Sequence, residues 1–362
     1  MKNILPVIAL FFYSGYLYPQ LQSEESDAVR FSANFRLHPG KVNQTEVFIT
    51  KSPVDDQTLF ASCNTLNFTP FFISEGIYVS TNNGSSWYGS DTCTGNPIAY
   101  HGGDVGITID RNGTFLLTRL GRTPFVGLYS HYSNDKGLTW SSQQVISTDD
   151  LERASLTSDV IPGSPYFGRS YAGWVTFASP FPVMVSYTDD GGKHWSAQKR
   201  VNNPPNRCAG GDIATGPNGE VYVCWAGVTQ VSPFKEIYAG FARSLDGGAT
   251  WQVTENAFPM SGISGILQDK DSIRVNSLPA LAVDSTSGAR RGWIYMVTCQ
   301  KGMLPAGSDP DIILYRSADG GQSWSAGIRV NQDPLNNGKT QYFPAVHVDR
   351  TGAVNILYYD DR

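Results

Sequence analysis

The sequence predicts an all-β chain folded as a six-bladed β-propeller, on three observations. A turn of the form Ser/Thr-x-Asp/Asn-x-Gly-x-x-Trp occurs five times, ending at Trp87, Trp140, Trp195, Trp251 and Trp324. These tryptophans are 53, 55, 56 and 73 residues apart, close to the length of a four-stranded blade with its connections. Between the turns lie short apolar runs with a period of two and many β-branched residues, and no sustained helical period.

In chain order, the first element is Met1-Lys2-Asn3 followed by the apolar run 4–17. One positive charge and then an apolar core reads as a secretory signal peptide, residues 1–22, cleaved between Gly15 and Ser23. The run falls short of the about 20 residues that span a bilayer, so no transmembrane segment is expected. The propeller is expected over residues 30–362. Residues 31–37 have the form of an outer strand with no turn before them, and are expected to pair with the last blade and close the ring without an open edge.

Strand pairs are expected at 46–62, 104–118, 170–178, 212–225, 279–298 and 344–359. In each, two alternating segments flank a turn carrying Asp, Asn or Gly. A fourth strand follows the repeat turn, as in 195–201 and 324–330. In the repeat turn itself the Asp carboxylate accepts backbone N–H groups, the Gly takes a positive φ and the Trp packs back on the strands. The sixth unit has its strand pair but no third strand or turn before Arg362. It is therefore expected to be cut short, with further C-terminal sequence beyond this residue.

On these residues the chain resembles the sialidase-like family of β-propellers. That family's Asp-box, or BNR repeat, reads Ser-x-Asp-x-Gly-x-x-Trp, as do Ser244-Leu245-Asp246-Gly247-Gly248-Ala249-Thr250-Trp251 and Ser317-Ala318-Asp319-Gly320-Gly321-Gln322-Ser323-Trp324. The resemblance implies boxes between the third and fourth strands of each blade, on the side away from an active site. It also implies an Arg triad for a sugar carboxylate, a Tyr activated by a Glu as nucleophile, and an Asp as acid/base. The family's first Arg lies in Phe/Tyr-Arg-Ile-Pro. The nearest segment here is Phe35-Arg36-Leu37-His38-Pro39, one residue longer and on the expected closing strand. Tyr358 and Tyr359 are available for the late Tyr.

A net charge of −5, a pI near 5.5 and the lack of any Lys/Arg run argue against a nucleic-acid partner and against a polybasic membrane patch. Five cysteines allow at most two disulfides. Cys63 with Cys93 and Cys208 with Cys224 are the available pairs, and buried free thiols are the alternative. The cysteine spacing fits no zinc site, and no cofactor is expected. Asn43, Asn67, Asn83 and Asn112 stand in glycosylation sequons.

Connections from a fourth strand to the next first strand, and from a second to a third, share one face. Extra length collects there, at 148–168, 256–278 and 300–311. Glu46, Asp104 and Asp212 fall at the start of inner strands, in register, and are expected to converge on the central channel. Convergent carboxylates do acid–base work, hold a cation, or tie loop N–H groups. Arg119, Arg122, Arg153, Arg169, Arg207, Arg274 and Arg362 are expected on the same face, and a guanidinium pairs in bidentate fashion with a sugar carboxylate. The candidate catalytic set is Asp104, Glu46, Asp212, Arg207 and Arg122. It belongs to an exported sialidase-like glycoside hydrolase, secreted, periplasmic or at the cell surface, acting on a glycan or glycoprotein. The alternative is a non-catalytic propeller that binds glycan or protein through its long loops.

Overall fold

Alternation of apolar and polar residues yields 24 strands in antiparallel pairs. The computed structural model describes residues 35–93, 100–263, 265–267, 270 and 272–361, and among them there is no helix. The expected signal peptide and residues 31–34 of the expected closing strand lie outside these residues. Residues 1–36 and 37–362 are separate units, and the second carries all the sheets.

Sheet I consists of β1 (Asn43–Lys51), β2 (Leu59–Phe68), β3 (Phe71–Ser80) and β4 (Tyr88–Ser90). Sheet II consists of β5 (His101–Ile109), β6 (Phe115–Gly121), β7 (Gly127–Ser133) and β8 (Gln144–Ser147). Sheet III consists of β9 (Ser155–Ser158), β10 (Ser170–Val175), β11 (Val183–Thr188) and β12 (Lys199–Arg200). Sheet IV consists of β13 (Cys208–Thr215), β14 (Val221–Val228), β15 (Glu236–Ser244) and β16 (Gln252–Pro259). A two-stranded ribbon, β17 (Gly265–Leu267) and β18 (Ile273–Val275), leads to sheet V, with β19 (Ala280–Val283), β20 (Ile294–Gln300), β21 (Asp311–Ser317) and β22 (Ile328–Arg329). The last pair, sheet VI, is β23 (Gln341–Val348) with β24 (Val354–Asp360).

Within each four-stranded sheet the strands lie in chain order, and the first strands β1, β5, β9, β13, β19 and β23 touch one another in series. The core is the set of interfaces between consecutive sheets. Phe60 and Val79 of sheet I pack on Ile107 and Leu117 of sheet II, and Leu128 of sheet II packs on Ala172 and Trp174 of sheet III. Tyr171 and Val185 meet Val223 and Trp225, and Phe241 meets Ile294 and Ile313. From the second copy on, the tryptophan of a repeat turn packs on the sheet before its own, whereas Trp87 of the first copy packs beside Ala61, Cys63 and Tyr78 of its own sheet. Trp140 lies 5.8 Å from Phe60, and Trp324 lies edge-on to Phe241 at 5.2 Å and to Phe258 at 5.5 Å. Each such ring removes apolar area from both partners, worth about 2 kcal/mol.

The repeat turn is held by its side chains. In the fourth copy Gly248 N–H donates to Ser244 Oγ (2.8 Å), Ser244 Oγ donates to Asp246 Oδ1 (2.7 Å), and Thr250 N–H donates to the same oxygen (2.8 Å). The other four copies repeat this set at Asn82, Asp135, Asp190 and Asp319. Two adjacent residues are left-handed in every copy, for example Lys136 (φ 57) before Gly137 (φ 81), so the glycine answers a backbone demand.

Two expectations are corrected. Residues 35–37 form no strand; Leu37 instead packs beside Cys63 and Tyr78 of sheet I. The pair expected at 170–178 begins with the second strand of sheet III, because the first strand, β9, lies inside the segment expected to be a loop at 148–168. Cys63, Cys208, Cys224 and Cys299 are buried free thiols, the alternative the sequence left open: Cys63 lies against the Tyr78 hydroxyl, Cys208 against Asn202 and Cys224 against the Pro279 carbonyl.

Candidate active site

Four of the six first strands, β1, β5, β13 and β23, share a backbone irregularity at the end of the sheets opposite the repeat turns, and the β9 and β19 ladders run without one. The β1–β2 ladder is interrupted between Thr45 and Phe48, and the β5–β6 ladder between Gly103 and Gly106. The β13–β14 ladder breaks between Ala209 and Asp212, and the β23–β24 ladder between Tyr342 and Ala345. Each bulge carries a left-handed residue, Glu46 (φ 56), Asp104 (φ 55), Gly210 (φ 67) or Phe343 (φ 50), and Gly103 (φ 75) before Asp104 and Gly211 (φ 154) after Gly210 are at positive φ as well. Outside glycine this conformation costs about 1 kcal/mol or more and is kept where the surroundings impose it. The bulge sets the two carboxylates of sheets I and II at equivalent places.

Glu46 and Asp104 are brought together. Asn64 of β2 stands between them: its Oδ1 accepts the Asp104 N–H at 2.7 Å, and its side chain hydrogen-bonds to both carboxylates. Burial among protein atoms raises both acids above the usual carboxylate range, and at Glu46 the charge of Asp104 adds to the rise. Glu46 remains open to water within this enclosure.

A third carboxylate, Glu152, stands just before β9. It too is raised, by burial first and then by Asp104, with Glu46 adding a smaller push. Arg153 opposes the rise at all three acids. Its guanidinium lies 4.5 Å from the centre of the Phe48 ring, and its Nη1 is buried without a hydrogen bond. Arg274 of β18 lowers the pKa of Glu46 and Asp104, and Arg207 lowers that of Glu152.

The remaining expected residues lie elsewhere. Asp212 is two residues past the bulge position and so is out of register with Glu46 and Asp104. Its Oδ2 accepts the Leu281 N–H (2.8 Å) and its Oδ1 the Ile213 N–H (3.0 Å), which ties sheet IV to sheet V. Arg122 is at the rim, over the rings of Phe71 and Tyr100 at 5.2 and 5.6 Å, with Nε donating to the His101 carbonyl. Arg207 sits among Phe177, Phe181 and Phe234, each within 5.3 Å. Arg119 is buried inside sheet II against His131 and Gln143. Arg169 is at the repeat-turn end, paired with Asp189 and donating to the Gly247 carbonyl. Arg362 lies outside the described residues. The tyrosines whose acidity is shifted are all pushed up by burial, Tyr342 among them. Among the described residues no cluster of His, Cys, Asp and Glu is arranged to hold a metal ion.

Glu152 is the acid that sequence reasoning missed. A signal for it existed in a second repeat: Thr69-Pro70-Phe71, Thr123-Pro124-Phe125, Ser179-Pro180-Phe181 and Ser232-Pro233-Phe234 all occupy second-to-third strand turns, each with a cis proline. The third copy marks β10 as a second strand and sends the search for a first strand upstream, to Glu152 and Arg153.

No family model and no curated relative matches the sequence. Solved structures do. The leech intramolecular trans-sialidase is 11% identical with a TM-score of 0.57, over 91% of this chain and 67% of that one. The NanB sialidase from Streptococcus pneumoniae is 10% identical with a TM-score of 0.57, over 92% of this chain and 68% of that one. An α-L-arabinanase from Penicillium chrysogenum is 14% identical with a TM-score of 0.52, over 88% and 93%. The chain thus spans about two thirds of the length of these two sialidases, and the fold is that of a sialidase-like β-propeller.

Proposed function

We propose that this sialidase-like propeller is a glycoside hydrolase whose active site is the group formed by Glu46, Asp104, Glu152 and Arg153. One observation carries the reading: three acids of raised pKa surround a guanidinium whose Nη1 is buried without a hydrogen bond. A raised pKa keeps one carboxyl protonated to donate to the leaving oxygen, while a neighbour held ionised by Arg153 serves as base or nucleophile. Asp104, in the deeper and less open setting, is assigned as the acid, and Glu46, open to water, as its partner. Arg153 offers Nη1 to a carboxylate or hydroxyl of the sugar. Arg207 and Arg122 belong to the rim of the pocket. In this reading sheets I to V and the β23–β24 pair are six blades of one ring, the repeat turns are Asp-boxes, and residues 1–22 direct export to a surface where glycans are exposed.

The neighbours named above act as sialidases or as an arabinanase, and both substrate classes enter the test. A fluorogenic sialoside and an arabinan oligosaccharide are offered to the folded protein and to Asp104→Asn. Turnover of either that falls by 100-fold or more in the variant, about the range for loss of a general acid, supports the assignment. No turnover of either by the folded wild type overturns it, and a propeller that binds glycan without cleaving it takes its place.

A further inference from the structure

The second-to-third strand turns and the repeat turns occupy opposite ends of the sheets, and their surfaces differ in kind. Four of the five second-to-third turns carry outward apolar tips: Phe68 (79% exposed) and Phe71 (59%), Phe125 (51%), Phe234 (38%) with Val231 (71%) beside it, and Leu304 (85%). Phe181 of the third turn lies within the Arg207 cluster. Cations stand beside these tips. Arg122 precedes Phe125 in the chain and lies over Phe71, Arg207 lies under Phe234, and Lys235 and Lys301 flank the last two turns. The repeat-turn end instead presents Asp135, Asp190, Asp246 and Asp319, whose acidity is strengthened by their turn hydrogen bonds. The two ends therefore differ in their apolar tips, whereas acids occur at both, with Glu46, Asp104 and Glu152 at the tip-bearing end and Lys136 and Lys193 among the repeat-turn carboxylates.

We propose that the second-to-third turn end docks on a lipid bilayer, with the apolar tips at the headgroup–acyl boundary and Arg122, Arg207, Lys235 and Lys301 among the phosphates. A surface of separate Phe, Leu and Val tips spread over four turns fits a broad, fluid partner, and the flanking cations complement phosphate. A protein partner of fixed shape is favoured by a continuous patch with central anchors, which these spaced tips do not form. Joined to the hydrolase reading, on which this extension alone rests, docking brings the group of Glu46, Asp104 and Arg153 down onto glycans borne by membrane lipids.

The test is flotation of the full chain with vesicles of phosphatidylcholine, and of phosphatidylcholine with about one part in five phosphatidylserine. The wild type partitions onto both, more onto the anionic vesicles, and Phe68→Ser/Phe125→Ser/Leu304→Ser lowers partition at least about tenfold. Leu138→Ser/Leu245→Ser, equally exposed but at the repeat-turn end, leaves it unchanged. Unaltered melting of each variant shows that the fold is intact. Failure to float with either vesicle overturns the proposal, as does equal loss in the repeat-turn variant. A concentration-dependent dimer abolished by the triple substitution overturns it in favour of a second copy of the chain. The hydrolase reading is judged separately, because turnover of a soluble glycoside does not change in the triple variant whether or not docking holds.

Discussion

The two ends of the sheets treat their carboxylates in opposite ways. At the repeat-turn end Asp246 and Asp319 accept backbone and hydroxyl hydrogens from their own turns, and each is held down at about 2. At the other end Glu46, Asp104 and Glu152 are crowded together and raised. The same residue type thus closes a turn where it accepts hydrogen bonds, and is made a weaker acid where burial and like charge oppose its ionisation. Local sequence supplies the partners in the first case. In the second they come from three sheets.

The largest effect that separates the ends is on turnover. Asp104→Asn is expected to lower hydrolysis by about 10²–10⁴-fold, whereas Asp246→Asn, inside a repeat turn, leaves the rate of the folded enzyme unchanged. Steady-state rates on the soluble glycoside check this, and equal losses would erase the distinction. Arg153→Lys keeps the charge but not the fork that places Nη1, so a loss that appears mainly in KM identifies Arg153 as a substrate-binding group.

The next effect is on stability. Trp324→Ala, which opens a cavity between Phe241 and Phe258, is expected to cost about 3 kcal/mol and lower the melting temperature by several degrees. Loss of Asp319 removes acceptors from a turn that stands in water, where screening trims such interactions, so Asp319→Ala is expected to cost only about 1 kcal/mol.

The pH dependence sharpens the contrast because its sign reverses. Asp319 has a lowered folded pKa, so its contribution is present above the unfolded value of about 4 and fades as pH falls towards about 2. The difference in melting between wild type and Asp319→Ala is then full at pH 7 and gone near pH 2. Asp104 has a raised folded pKa. Its contribution is present below about 4 and is lost as pH rises through the folded value. Asp104→Asn is therefore expected to melt higher than the wild type at pH 7 and no higher at pH 4. A lower melting temperature at pH 7 would mean that the ionised Asp104 is held as a stabilising partner, against the assignment of a strained acid.

Legibility in the sequence followed the same division. The repeat turn was readable because two left-handed positions and a capping acceptor restrict the residues that fit, as at Lys136-Gly137 and Asp246. β9 was not. Its Ser158 bonds to the hydroxyls of Thr108 and Ser170 at 3.0 and 2.7 Å, so this inner strand is satisfied by hydroxyl contacts and shows no apolar alternation. With β9 unseen, Glu152 was lost. The misplacement of Asp212 has a different cause. A bulge is a relation between two strands, and Gly210-Gly211 shifted the register in a way that one strand's sequence does not display.

The smallest effect tests how the chain's last sheet meets its first. Arg350, in the β23–β24 turn, donates to Asp56 in the β1–β2 turn at 2.8 Å. Both side chains are well exposed, so Coulomb attraction is screened and the cost of ordering two mobile side chains offsets most of it. Arg350→Ala is accordingly expected to leave the melting temperature unchanged at physiological salt, with a small decrease only at low salt. A drop of several degrees at physiological salt would show that this contact holds the two sheets together. It would also move the weak point of the fold to the junction of sheets VI and I.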